Sequence, residues 1–153
     1  YEINVDFMDA VKGVTREIHV PRGAAGEGSV RKTIKIPAGV DTGSRIRFDE
    51  FDLVLSVRPD KRFHREGDDI VITEEIPFSM AALGGVLDVP TIDEKVKIRI
   101  QPGTQPGTLI RLRGKGVPHV RGNGRGDQYV KILLKVPTHL SRRQRELLEE
   151  LEV

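Results

Sequence analysis

Apolar and polar residues alternate along most of this chain with the two-residue period of half-buried strands. Tyr1-Glu-Ile-Asn-Val5 alternates in this way, residues 7–12 break the pattern, and Gly13 is placed to close a short helix with a positive-φ residue. Alternation returns at 15–20, with Ile18 and Val20 on one face and Glu17 and His19 on the other, and Pro21 ends that strand. Further strands are expected at 30–36, 45–48, 53–57, 70–72, 86–89, 96–100, 109–112 and 129–136. Ser79 is placed to N-cap a second short helix through Leu83, stopped by Gly84-Gly85. Residues 22–29 are glycine-rich and read as a linker, 59–69 as a charged connection around Phe63, and 122–126 as a mobile hairpin. The period changes after Ser141. Ser141-Arg-Arg-Gln144 has capping-box spacing, and Leu147, Leu148 and Leu151 then fall on one helical face among charges. A terminal helix this short is marginal alone, so it is expected to pack on its own domain or on a partner.

The pattern occurs twice. Ile36-Pro-Ala-Gly-Val-Asp-Thr-Gly-Ser-Arg-Ile-Arg-Phe48 repeats from Ile100, with Gly39 on Gly103, Gly43 on Gly107 and Arg47 on Arg111. Residues 5–13 echo 76–84, with Phe7 on Phe78 and Ala10 on Ala81, and 53–59 echo 131–137 more loosely. Three blocks in the same order predict two tandem copies of one β-unit, too few and too long for a solenoid. The expected division is 1–66, 67–137, and a terminal helix in 138–153. Between residues 48 and 51 the echo fails, because the second copy carries residues 113–127 there.

Composition narrows the chemistry. The 153 residues carry 25 Lys and Arg against 23 Asp and Glu, so the net charge of +2 argues only weakly for nucleic acid. There is no cysteine, which removes disulfides and thiolate metal sites and fits a reducing, cytoplasmic setting. No apolar run is long enough to cross a bilayer and no signal peptide is visible, so no membrane role is expected. Gly114-Lys-Gly116 lacks the hydroxyl residue and the spacing of a phosphate loop. His19, His64, His119 and His139 are scattered. Asp68-Asp69 and Glu74-Glu75 are adjacent, so each pair diverges on a strand and reads as solvated charge. No nucleophile motif is present, and an enzyme is not expected. Arg111, Arg113, Lys115, Arg121 and Arg125 among four glycines form the best nucleic-acid candidate, but lack aromatic stacking partners.

Several segments together resemble the C-terminal region of DnaJ family co-chaperones, the heat-shock proteins that deliver clients to DnaK-type chaperones. These are residues 7–13, 36–43, Phe63-His-Arg-Glu-Gly-Asp-Asp69, Ala81-Ala-Leu-Gly-Gly85 with Val89-Pro-Thr91, Pro106-Gly-Thr108, Leu112-Arg-Gly-Lys-Gly-Val-Pro118 and Gly126-Asp-Gln-Tyr-Val130. The resemblance implies a mainly β fold of two tandem β-sandwich subdomains of similar topology, each with a short helix, followed by a dimerising C-terminal amphipathic helix. It implies no J-domain in this sequence, whose His-Pro-Asp loop is missing, and hence no stimulation of a chaperone ATPase by this stretch alone. The zinc-binding Cys-x-x-Cys-x-Gly-x-Gly repeats of the larger DnaJ class, which would sit between the strands ending at Val20 and starting at Val30, are missing too, so no cofactor is expected here.

By resemblance, unfolded client polypeptides lie as an extended strand in a shallow apolar groove on the first subdomain. Matched positions give Tyr1, Ile3, Ile18 and Val20 as its wall, Phe63 at its end and Arg16 at its rim. The acidic C-terminal tail of a DnaK-type partner uses this subdomain in part of the family, where Arg16, Lys32 and Lys35 could take part. Leu147, Leu148 and Leu151 are the implied homodimer contacts. The alternatives are a nucleic-acid module using residues 111–125 and a purely structural dimerisation arm.

Overall fold

The computed structural model describes residues 1–21, 29–48 and 51–151, without the side chains of 20, 21, 29, 30 and 48. Residues 22–28 of the linker expected at 22–29, and residues 49–50, lie outside the described residues, while Ser29 is the first residue of a strand. The first copy runs β1 (Glu2–Val5), α1 (Phe7–Lys12), β2 (Val14–Pro21), β3 (Ser29–Ile36), β4 (Arg45–Phe48) and β5 (Phe51–Val57). The rest is β6 (His64–Glu66), β7 (Asp69–Pro77), α2 (Phe78–Leu83), β8 (Gly85–Val89), β9 (Val96–Ile100), β10 (Leu109–Leu112), β11 (Gln128–Lys135) and α3 (Arg142–Leu151).

The repeat is a repeat of topology. In the first copy a sheet ordered β1-β5-β4 faces a β2-β3 ribbon, and in the second a sheet β7-β11-β10 faces a β8-β9 ribbon. β1 on β5 and β7 on β11 are both parallel, which requires the long crossover each copy supplies. The turns match as well. Gly39 and Gly103 have φ of 94° and 82°, and each donates its N–H at 2.9 Å to the helix alanine, Ala10 or Ala81. Between each sheet and its ribbon lies a core. Val5, Ala10, Ile34, Ile36, Leu53 and Leu55 fill the first, and Ile70, Ile72, Ile76, Ala81, Ile98, Ile100, Val130 and Ile132 belong to the second. The fold is mainly β, as expected.

Three expectations need correction. The looser echo is one residue out of step: Glu2 faces Val54 while its counterpart Thr73 faces Lys131, so Leu53 stands on Val130 and Leu55 on Ile132. A one-residue slip would turn every side chain of the strand over, and the buried positions fix the true match. Ser79 does not cap α2. The helix begins at Phe78 with extended Pro77 in the cap position and no side-chain cap bond. The connection at 59–69 also hides β6, which pairs antiparallel with β7 through His64–Val71, Arg65–Ile70 and Glu66–Asp69. Three residues are too few for a visible alternation.

The two copies share a packed seam. Phe7 and Val11 of α1 join the second core while Ala10 joins the first. The Phe7 and Phe63 rings stack with centroids 6.3 Å apart. Arg65, only 10% exposed at its side chain, donates to the carbonyls of Gly39, Val40 and Gly67 and to the Asp68 carboxylate. No helix among the described residues is long and apolar enough to cross a membrane.

Candidate functional site

β1 borders the first sheet, and its hydrogen bonds go one way. The carbonyls of Tyr1 and Val5 accept from Val54 and Arg58 of the β5 side at 2.8 and 2.9 Å. The parallel ladder therefore leaves the polar groups of Glu2 and Asn4 facing away from β5. β2 is likewise paired only with β3 among the described residues. Arg16 links the two open edges, its guanidinium donating to the Asn4 carbonyl.

The face of β2 turned toward the core carries Val14 opposite Ile36, Arg16 opposite Ile34 and Ile18 opposite Lys32. Ile3 and Ile18 both pack against the first core and remain half-buried. Tyr1 is 57% exposed, its ring edge-on to Phe51 at 5.2 Å. The strand position of Val20, opposite Val30, is described, but its side chain lies outside the described residues. Ile3 therefore lies on β1, Arg16 and Ile18 lie on β2, and Tyr1 stands immediately before β1. Phe63 is placed differently. It is buried in the second core and lines an open cavity of about 280 Å³ with Phe7, Val57, Pro59 and Arg65.

The second copy differs at the matching positions. β6 pairs with Asp69, Ile70 and Val71, ahead of the stretch 73–76 that matches β1, and Arg62 from the turn before β6 pairs with Glu74, the counterpart of Ile3. Arg16 is matched by Leu87, which packs against the second core. A charged residue on the inward face of β2, where its twin is apolar, breaks the binary pattern of the fold. Such breaks mark functional positions more often than defects.

The basic segment is tied down. Arg111 binds the Asp127 carboxylate at 2.7 Å, Arg125 binds Asp93 at 2.8 Å and the Gly116 carbonyl, and Lys115 lies 3.8 Å from Glu94. The Gly114 N–H and Arg111 hold the Asp127 carboxyl below its ordinary range, and Asp127 raises Arg111 in return. Three of its five cations are thus engaged with carboxylates, and nothing supports a phosphate track there. In the acidic pairs, Asp68, Asp69 and Glu74 are engaged, while Glu75 is exposed. Asp68 accepts from Arg65 and lies 2.6 Å from His119 Nδ1, Asp69 accepts the Asp127 N–H, and Glu74 pairs with Arg62. These partners are up to 58 residues apart, beyond any local reading. Leu147, Leu148 and Leu151 line α3, which has no buried residue.

A family model described as DnaJ C terminal domain matches residues 1–137. Among curated relatives, a protein named chaperone protein DnaJ from Brevibacillus choshinensis is 47% identical over 77% of this chain and 35% of its own length. One so named from Clostridium tetani is 51% identical over 75% and 34%. Another from Methanothermobacter thermautotrophicus is 44% identical over 82% and 38%. The chain thus spans about a third of the length of the curated relatives it matches.

Proposed function

The chain belongs to the DnaJ C-terminal domain family, and from that premise we propose that it is the client-binding and dimerisation region of a DnaJ-type co-chaperone. The observation that carries this reading is the pair of β1 and β2 edges left open among the described residues, with half-buried Ile3 and Ile18 beside them, where the twin copy has the Arg62–Glu74 ion pair and Leu87. An extended client would add backbone hydrogen bonds to an edge, indifferent to sequence, while the apolar positions favour bulky side chains. Each fully buried aliphatic side chain is worth roughly 1.5–3 kcal/mol, and ordering the peptide offsets much of it. Binding is therefore expected near micromolar, roughly −8 kcal/mol, which suits release to a DnaK-type chaperone in the cytoplasm. Arg16, Lys32 and Lys35 lie on the same two strands and would favour the acidic tail of that partner. Phe63, across the seam, would end the apolar surface. Homodimerisation through Leu147, Leu148 and Leu151 would give the assembly two such surfaces.

The test is anisotropy of a labelled peptide rich in Leu and Phe, titrated with the wild-type chain and with Ile18→Asp. Saturable binding that tolerates salt and falls at least about tenfold in the folded variant is the expected result. Equal binding by both proteins would remove the site from β2. Binding that collapses with salt would point to phosphate-type electrostatics instead.

A further inference from the structure

One stretch of the second unit has no counterpart in the first, and it reaches across the seam. It spans residues 113–127, and its middle is a narrow hairpin. Pro118 bridges Arg125, the His119 N–H donates to the Gly124 carbonyl at 3.1 Å, and His119 Nδ1 lies 2.6 Å from the Asp68 carboxylate. The Pro118 carbonyl and a methyl of Val120 close on Gly39 of the first unit. Beyond these anchors the backbone is untied. Residues 120–123 are a run of exposed bends that makes no hydrogen bond among the described residues.

Asn123 sits at that tip between two glycines of positive φ, Gly122 at 93° and Gly124 at 94°. It is exposed, so its Cγ is open to attack. The nearest nucleophile is the next backbone nitrogen, that of Gly124. Attack requires the intervening torsions to turn, and glycine, lacking a Cβ, opposes that least. Space does not limit it. A Cβ at Gly122 would meet nothing, and one at Gly124 only a His119 ring carbon at 3.6 Å. The chain holds one other asparagine, and it provides the contrast. Asn4 lies in β1, and the residue after it, Val5, is β-branched, fully buried and locked in the β1–β5 ladder.

We propose that Asn123 is a modification site at which the chain deamidates itself, with water as the only co-reactant. The Gly124 nitrogen bonds to Asn123 Cγ and gives up its proton, and the side-chain nitrogen leaves as ammonia. The product is a cyclic succinimide. Water then adds to either ring carbonyl, and opening leaves aspartate or isoaspartate, with nothing oxidised or reduced. Both products place a new carboxylate between Arg121 and Arg125. Isoaspartate does more, because it routes the main chain through the side chain and lengthens it directly before Gly124. That is the residue whose carbonyl holds His119, so the longer tip loosens the strap over Gly39. The hairpin therefore ages into a weaker clamp between the units.

The test follows the purified chain and Asn123→Gln through storage in warm, mildly alkaline buffer. Cleavage after lysine separates Asn4, in residues 1–12, from Asn123, in residues 116–131. Mass spectrometry reads amide-to-acid conversion in each, and an isoaspartyl methyltransferase with a labelled methyl donor reads isoaspartate. Conversion at Asn123 is expected at least about tenfold faster than at Asn4, a barrier difference of about 1.4 kcal/mol. Equal rates at the two sites, or no conversion at Asn123, would overturn the assignment. The Asn123→Gln chain should gain no label in residues 116–131, and label there would place the reaction on another residue and overturn it equally. Purified isoaspartate-bearing protein should unfold at lower denaturant than Asn123→Asp, which carries the charge without the longer backbone. Matching midpoints would refute the effect on the seam.

Discussion

At Asp127 two donors converge on one carboxylate: the Gly114 N–H at 2.9 Å and the Arg111 guanidinium. Both favour the charged form, so the folded-state carboxyl titrates below its ordinary value of 3.8. The unfolded chain then takes up the proton first. The stabilisation is present in full above that ordinary value and is lost as pH falls through the lower folded one. Asp127→Asn is therefore expected to flatten this part of the acid limb of Tm against pH, and parallel curves for the two proteins would refute the assignment. The sequence displays Asp127 as one charge in a basic loop. Its partners come from the far side of a turn and from a neighbouring strand. Arg16 entered the sequence reading only through the resemblance, at the rim of a groove, and the fold supplies the Asn4 carbonyl to which it donates.

Among the elements, α3 was the most legible, because its signals are local. The Ser141 N–H donates to Gln144 Oε1 at 2.9 Å and the Gln144 N–H returns a bond to Ser141 Oγ at 3.1 Å, the reciprocal box its spacing predicts. Ser141→Ala should cost about 1 kcal/mol of helix stability, seen as lower helicity by circular dichroism. Unchanged helicity would show that packing on a partner, not the cap, holds α3 in place. α2 illustrates the opposite case. Ser79 has cap chemistry but lies inside a helix that Pro77 starts, because the length of β7 sets where the helix can begin. β6 left no trace in the alternation, yet it extends the second sheet by pairing with the start of β7.

Across the whole molecule, the seam joins the copies through a glycine that has no room to change. A Cβ at Gly39 would be driven into the Pro118 carbonyl of the other unit, whereas Gly43, at a similar φ of 89°, has nothing nearby. Both substitutions by alanine carry the left-handed penalty of about 1–2 kcal/mol. Gly39→Ala should cost clearly more in chemical denaturation, at least about 2 kcal/mol in total, and the excess measures the inter-unit contact. Equal losses would mean that the units are not held together at this point. Arg65 and the Phe7–Phe63 stack reinforce the same seam between the two units.

By itself the sequence determined the strands, the duplication, the terminal helix and the family resemblance, because alternation, glycine turns and caps are written within a few residues of one another. Tertiary structure alone decided which strand edges lack a partner among the described residues and which charges find one. Those outcomes depend on groups such as Asp68 and His119, 51 residues apart, or Phe7 and Phe63 on different units. A two-residue period states that a side chain turns inward. It does not state what it will meet there.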